Sequence, residues 1–190
     1  TGDGILVLSN TTNSYDGTTT ISAGTLTVTG RLDSGSYSAD IINNSALIYN
    51  SASAQTFAGE ISGNGTLEKA NASSTLTLSG TNTYTGTTTV TAGIIAISDP
   101  NSLGTTDGAT TVDSGAALYI SGGLTVAEPI NISGTGVSSS GAIRFTANDN
   151  TYSGAITLGA TSTIVSNSGQ QIISGTINGS NDNTEALTIT

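Results

Sequence analysis

One fifteen-residue string occurs twice in this chain, and a weaker copy follows. Residues 14–28 match residues 83–97 position for position in their pattern, and the tyrosines of the three copies, Tyr15, Tyr84 and Tyr152, are 69 and then 68 positions apart. A β-sandwich gives no reason for such reuse, whereas a solenoid stacks similar units along an axis. With roughly 23 residues per coil, we expect the two main copies three coils apart in the same corner.

Between these copies the chain consists of short runs in which apolar and polar residues alternate. Thr-Leu-Thr-Leu-Ser-Gly at residues 75–80 is typical, and Gly, Asn or Asp ends most runs. This alternation indicates strands, and no segment shows the apolar spacing of a helix. The sequence therefore predicts an all-β fold, a single-stranded right-handed parallel β-helix of about eight coils, continuous over residues 1–190. The aliphatic residues expected inside are Leu26, Val28, Leu76, Leu78, Val90, Ile95, Ile97, Leu118, Ile120, Ile130, Ile132, Ile156 and Leu158.

A second, shorter motif also recurs, and the two ends of the chain read as neighbours. Residues 55–63 and 171–179 share Gln, two glycines and two apolar positions at the same spacing. Residues 187–190, read into residues 1–9, regenerate the order of strands that precedes Tyr84. We therefore expect the chain to be one period or window of a longer repetitive protein. Self-association of separate chains, by end-to-end stacking of coils, is the alternative.

Composition restricts the partners. The chain has 13 acidic and 3 basic residues, a net charge of -10, and no Cys, His, Met or Trp. Nucleic acid requires clustered cations, so it is a poor partner. No stretch approaches the ~18 apolar residues of a membrane span, so we expect no membrane insertion by this segment. The partners that this composition allows are neighbouring repeats, host or matrix glycans, and host proteins.

One family resemblance follows from the central string. Gly-Thr-Leu at residues 65–67, followed by residues 75–93, resembles the autotransporter passenger-associated repeat of bacterial surface and secreted proteins. Residues 123–158 resemble a companion segment of the same family. The resemblance implies a β-helical passenger at the bacterial surface or outside the cell. It implies no catalytic residues and no cofactor.

An enzyme is the competing class, because some parallel β-helices cleave polysaccharides. Such chemistry needs paired carboxylates, often with calcium, and the candidates are Asp107, Asp113, Asp149 and Asp182. Asp149 and Asp182 each lie in Asn-Asp-Asn, which also suits a corner that bonds its own backbone. The absence of His and Cys excludes the usual triads and zinc sites. A Ser–Lys nucleophile would need Lys69, for which we expect a surface ion pair.

The tyrosines offer two interpretations, and they complete the functional hypothesis. Tyr15, Tyr84 and Tyr152 could form a sugar-stacking stripe, but we favour aromatic plugs at a widened corner. The leading hypothesis is a structural or adhesive rod of an extracellular fibre or surface adhesin, with no catalytic, metal or cofactor site. The alternative is a carbohydrate-active or carbohydrate-binding β-helix. Carboxylates scattered over different faces would argue against the enzyme.

Overall fold

The chain is a parallel β-solenoid of three faces. The computed structural model describes residues 2–180 and 184–190, and the chain winds through about nine turns. Every strand pair in these residues is parallel, and the strands of one face lie one turn apart. At the spacing of hydrogen-bonded strands, this gives a rod of roughly 40 Å. The predicted β-helix is confirmed, with about one turn more than expected.

Face 1 carries nine successive strands. They are β1 (Ile5–Leu8), β3 (Thr25–Val28), β6 (Ala46–Tyr49), β9 (Thr66–Lys69), β11 (Thr88–Val90), β13 (Thr110–Val112), β16 (Ile130–Gly134), the first part of β19 (Ile156–Ser166) and β21 (Ile177–Gly179).

Face 2 follows face 1 in each turn. Its strands are β4 (Ser36–Tyr37), β7 (Gln55–Phe57), β10 (Thr75–Leu78), β12 (Gly93–Ile97), β14 (Ala116–Ser121), β17 (Ile143–Ala147), the second part of β19 and β22 (Leu187–Ile189).

Face 3 completes the turn with shorter strands in two groups. They are β2 (Thr19–Ile21), β5 (Ile41–Asn43) and β8 (Ile61–Ser62), and then β15 (Thr125–Val126), β18 (Asn150–Tyr152) and β20 (Gln171–Ile173). Hydrogen bonds from Tyr84 N to Ile61 O and from Thr105 N to Tyr84 O continue the stack between the groups. The only helical segments in the described residues are two 3₁₀ turns, Asp33–Gly35 and Val137–Ser139.

The core is one continuous column of apolar side chains. Alternate residues of each strand point inward, as in β10, where Leu76 and Leu78 are buried and Thr75 and Thr77 are half-buried. All thirteen aliphatic residues predicted to line the interior are buried. Burying a side chain of this size contributes about 1.5–3 kcal/mol. Because each row is continued by the next turn, stability comes from contacts between neighbouring turns.

Buried amides hold the corners together. The Gln55 side chain donates to Leu32 O at 3.1 Å and accepts from Leu32 N at 2.9 Å, which joins two successive turns. Asn43 donates to Thr66 O at 2.9 Å in the same manner. A buried amide is tolerated only where it replaces the hydrogen bonds of water. At the corners, the side-chain amides of Asn and Gln therefore bond backbone groups that the bend leaves without a backbone partner.

The two copies of the fifteen-residue string occupy different faces, so the prediction of a shared corner is wrong. Partner residues show this directly, because Leu26 stacks through Leu47 and Leu67 onto Thr88. Copy 14–28 thus runs from face 3 to face 1, and copy 83–97 runs from face 1 to face 2. Most turns take 20–22 residues instead of 23, so a spacing of 69 covers three turns plus one further face.

The shorter motif is displaced by one face as well. Gln55 starts a strand of face 2 and Ile61 lies on face 3, whereas Gln171 starts a strand of face 3 and Ile177 lies on face 1. Both motifs therefore describe one corner with its two strands. Neither motif marks a whole turn.

Candidate functional surface

The candidate carboxylates of the competing enzyme hypothesis do not come together. Asp107 lies at the corner between faces 3 and 1, Asp113 at the corner between faces 1 and 2, and Asp149 at the corner between faces 2 and 3. Asp182 lies outside the described residues. No group of three or more acidic side chains with metal-binding geometry occurs within residues 2–180 and 184–190. The three described candidates form no carboxylate pair suited to glycoside cleavage.

The Asn-Asp-Asn triplet around Asp149 is a corner, as predicted. Asn148 has a positive φ of 62°, and the Asn150 side chain donates to Ala147 O at 2.8 Å. Asp149 Oδ1 accepts from Gln170 N at 2.7 Å in the next turn. These bonds are within the scaffold, so the triplet fixes the bend and joins two turns.

The tyrosines do not form a stripe for sugar stacking. Tyr84 and Tyr152 are 1% and 0% exposed, which confirms them as aromatic plugs, whereas Tyr15 is 39% exposed. The Tyr84 hydroxyl bonds Thr88 Oγ1 at 2.7 Å, and Tyr152 donates to Glu128 O at 2.7 Å. Tyr15 lies edge-on to Tyr37, with ring centroids 5.5 Å apart.

Lys69 is buried, and the prediction of a surface ion pair is wrong. It occupies an inward position at the end of β9, and its Nζ donates to Asn71 O and to Ala92 O. Its Nζ also lies 5.9 Å from the centroid of the Tyr49 ring. Burial lowers the pKa of the Lys69 amine to about 8. Main-chain carbonyls, not carboxylates, therefore hold this cation at the corner between faces 1 and 2.

Glu128 is a buried carboxyl that the sequence did not single out. It is 5% exposed, Thr110 Oγ1 donates to its Oε1 at 3.2 Å, and its Oε2 has no described hydrogen-bond partner. Burial raises the pKa of the Glu128 carboxyl to about 7, and the bond from Thr110 opposes this. Nothing in its sequence context, Val-Ala-Glu-Pro, distinguishes it from a solvent-exposed turn residue.

The solvent side of face 1 is a polar row along much of the rod. Outward positions at successive turns are Glu68, Thr89, Thr111, Asn131, Thr157 and Asn178. Short hydroxyl and amide side chains at the strand spacing form many weak hydrogen-bonding positions.

Apolar side chains are exposed at the first and last described turns. Ile5, Leu6 and Val7 of β1 are 71%, 62% and 51% exposed. A cavity of about 580 Å³ opens there, with Tyr15 and Ile21 among its lining residues. At the other end, the exposed large side chains are Ile172, Ile177 and Ile189.

The outward row of face 2 differs from the polar row, because it carries a paired Tyr and Arg. Tyr119 and Arg144 are partners on adjacent strands, and Arg144 Cζ lies 5.4 Å from the centroid of the Tyr119 ring. Arg144 Nε donates to Asn167 Oδ1 at 3.2 Å, and the Tyr119 hydroxyl bonds Ser140 Oγ at 2.9 Å. No sequence pattern reveals this pair, because its residues are 25 positions apart and become neighbours only through the register of the strands.

Among the described residues, no helix is long and apolar enough to cross a membrane. The passenger-associated-transport-repeat family matches at residues 1–28 and 73–97. The second of these segments contains residues 75–93, the longer part of the string on which the resemblance was based. The first segment is an additional match. The predicted companion segment at 123–158 stays a prediction.

One curated relative is the adhesin BmaC autotransporter of Brucella suis biovar 1 (strain 1330). It is 41% identical over 108 residues, which are 57% of this chain and 3% of the relative. The chain thus spans only a small part of that protein. No solved structure matches the chain significantly. Together with the parallel solenoid, these matches point to a place outside the bacterial cell or at its surface, and they show that residues 1–28 and 73–97 are similar to passenger-associated transport repeats.

Proposed function

We propose that this segment is a rigid, non-catalytic length of an extracellular bacterial rod, as in a fibre or the stalk of a surface adhesin. The observation that supports the proposal most strongly is the unbroken face 1, in which nine successive strands pair in parallel around one apolar core. Such a ladder resists bending, because tilting one turn against the next would break backbone hydrogen bonds. The adhesin relative and the separated carboxylates agree with a structural role.

The exposed apolar ends support continuation of the rod by further coils of the same fold. Leu6 is 62% exposed at one end and Ile189 is 60% exposed at the other, and both lie on strands with a free edge among the described residues. A coil added in register would bury these side chains and pair the open edges. Tandem repeats of one chain, or stacked separate chains, would both supply it.

A chain containing two tandem copies of the 190 residues tests the rod. If the solenoid continues through the junction, negative-stain electron microscopy should show straight rods of roughly 80 Å, twice the single length. Two short bodies joined by a flexible hinge would contradict the proposal.

The single 190-residue segment separates the two kinds of continuation. Discrete short rods by microscopy, with a monomeric mass in light scattering, would assign continuity to tandem repeats. Long filaments that Leu6→Glu disperses would assign it to stacking of separate chains. Filaments that persist in Leu6→Glu would contradict contact through the apolar ends.

A further inference from the structure

The turn between Ile130 and Ile156 departs from the regular repeat. Those partners are 26 positions apart, against 20–22 at most other steps. Part of the difference forms a compact loop at residues 134–141, whose ends are joined by a bond from Gly141 N to Thr135 O at 2.8 Å. Ser138 and Ser139 in this loop have positive φ values of 50° and 61°. Insertions in solenoids commonly map to a binding face, so this loop indicates a candidate binding surface.

The loop lies beside the Tyr119–Arg144 pair of face 2. Ser140 in the loop bonds the Tyr119 hydroxyl, and Arg144 Nη1 donates to the same hydroxyl at 3.4 Å. Asn167 holds Arg144 Nε from the following turn. The guanidinium is therefore fixed by groups from the preceding and the following turn, so a ligand would lose little affinity to ordering it.

The charge of Arg144 is not neutralised by its surroundings. Although the chain has 13 acidic residues, no carboxylate in the described part of the chain is within ion-pair distance of this guanidinium. In the described part of the chain, the hydrogen bonds of Arg144 come from Nε and Nη1, which leaves Nη2 for a ligand. Of the other two cations, Lys69 is fully buried, and Arg31 has a buried Nε without a described partner. Arg144 is thus a positioned cation with free donors, which suits a carboxylate.

The pair also leaves room for a ring. On the side of Tyr119 away from Arg144, the next residue in the outward row is Ala96, whose side chain is a single methyl group. We propose that Tyr119, Arg144 and the loop 134–141 bind a carboxylate-bearing sugar, such as a uronic acid unit of a polysaccharide. The carboxylate would accept from the free Nη donors, and the apolar face of the sugar would pack on the Tyr119 ring above Ala96.

An acidic peptide fits this surface less well. Strand β14 is paired in parallel with β12 on one side and with β17 on the other, so its backbone groups are committed to the sheet. An extended peptide would find no edge to join. A sugar needs only the exposed side chains. The inference goes beyond the proposed rod, because a rod needs no ligand at this position.

Isothermal titration of the 190-residue chain at low ionic strength tests the site. The probe is hexagalacturonate, and its fully methyl-esterified form is the control that keeps the rings and removes the charges. Arg144→Gln should lower the affinity for hexagalacturonate at least about tenfold, whereas the matched Arg31→Gln, with the same change in charge, should alter it less than about twofold. The esterified probe should not bind.

Three results would overturn the site. The first is that hexagalacturonate does not bind the unmodified chain. The second is that Arg144→Gln and Arg31→Gln lose the same affinity for hexagalacturonate, and the third is that the esterified probe binds at full affinity. Hexaglutamate bound as tightly as hexagalacturonate would replace the sugar with an acidic peptide. Unfolding of both variants followed by circular dichroism confirms that a lost affinity is not a lost fold.

Discussion

The two copies of the fifteen-residue string share a pattern and differ in their surroundings. Copy 14–28 starts at the first described turn, where Tyr15 is 39% exposed, and copy 83–97 lies inside the rod, where Tyr84 is 1% exposed. The hydroxyls of both tyrosines bond the threonine four positions later, at 3.0 Å and 2.7 Å. Local geometry is therefore encoded in the string, while burial is decided by neighbouring turns.

The largest difference should appear when each tyrosine is removed. Tyr84→Ala empties a position between two turns and should lower the free energy of unfolding by about 4 kcal/mol. Tyr15→Ala removes a partly exposed ring and should cost about 1 kcal/mol. Urea unfolding followed by circular dichroism measures both. Equal losses would mean that burial does not distinguish the copies.

The glycines at the third position after Ser14 and Thr83 provide the next test. A Cβ on Gly86 would lie 2.1 Å from Gly65 O of the previous turn, whereas a Cβ on Gly17 would meet nothing within 4 Å. Gly86→Ala should cost about 3 kcal/mol, because backbone must move. Gly17→Ala should be neutral or stabilise slightly, since it restricts the unfolded chain. A loss from Gly17→Ala as large as that from Gly86→Ala would contradict the stacking.

The buried carboxyl near Tyr84 gives a pH-dependent test of the interior copy. The pKa of Glu128 is about 7 in the folded chain, above its usual 4.5, because burial disfavours the charge. Between these values the unfolded chain loses the proton and the folded chain keeps it. The free energy of unfolding should therefore fall as pH rises, by roughly 3 kcal/mol in total.

Glu128→Gln should remove this dependence and stabilise the chain at pH 8, with little effect near pH 4. Glu60→Gln, at an exposed carboxyl, is the matched control. Urea unfolding at a series of pH values would show the difference. An unchanged slope in Glu128→Gln would assign the dependence to other groups.

The smallest effect should come from the hydroxyl partners of the tyrosines. Thr88→Val leaves the buried Tyr84 hydroxyl without its described bond and should cost about 1 kcal/mol. Thr19→Val should cost less, because water reaches the Tyr15 hydroxyl and because the Tyr37 hydroxyl, which also bonds Thr19 Oγ1, keeps its bond to Gly17 O. Differential scanning calorimetry can resolve such a difference. A larger shift for Thr19→Val would show that the exposed copy is the better ordered.

The sequence predicted the fold and the interior well, because alternation and small β-branched residues leave few alternatives. Leu76, Leu78 and the other predicted aliphatic residues are buried, and no long helix occurs in the described residues. The position of the repeats was predicted wrongly. The string at residues 14–28 defines a bend between two strands, and two of the three bends of a turn carry a copy of it.

The candidate site was less accessible from sequence. No local sequence pattern distinguishes the buried charges of Lys69 and Glu128 from exposed ones. Their burial depends on where the preceding corner ends, because that position decides which residues of the next strand point inward. Tyr119 and Arg144 become neighbours only through a register that the longest turn shifts. The alternation of apolar and polar residues predicts which side chains of a strand lie on the same side of the sheet. It does not give the number of residues in each corner, and that number sets the register between turns.

The recurrence of one motif at two different corners has an evolutionary consequence. A gene encoding such a rod can lengthen by duplicating a segment that covers one corner and its strands, without preserving whole turns. Each duplication would also rotate whatever follows it around the axis. Growth of this kind distributes any surface feature carried by the duplicated segment around the circumference, so lineages could vary both the reach of the rod and the directions in which it presents contacts.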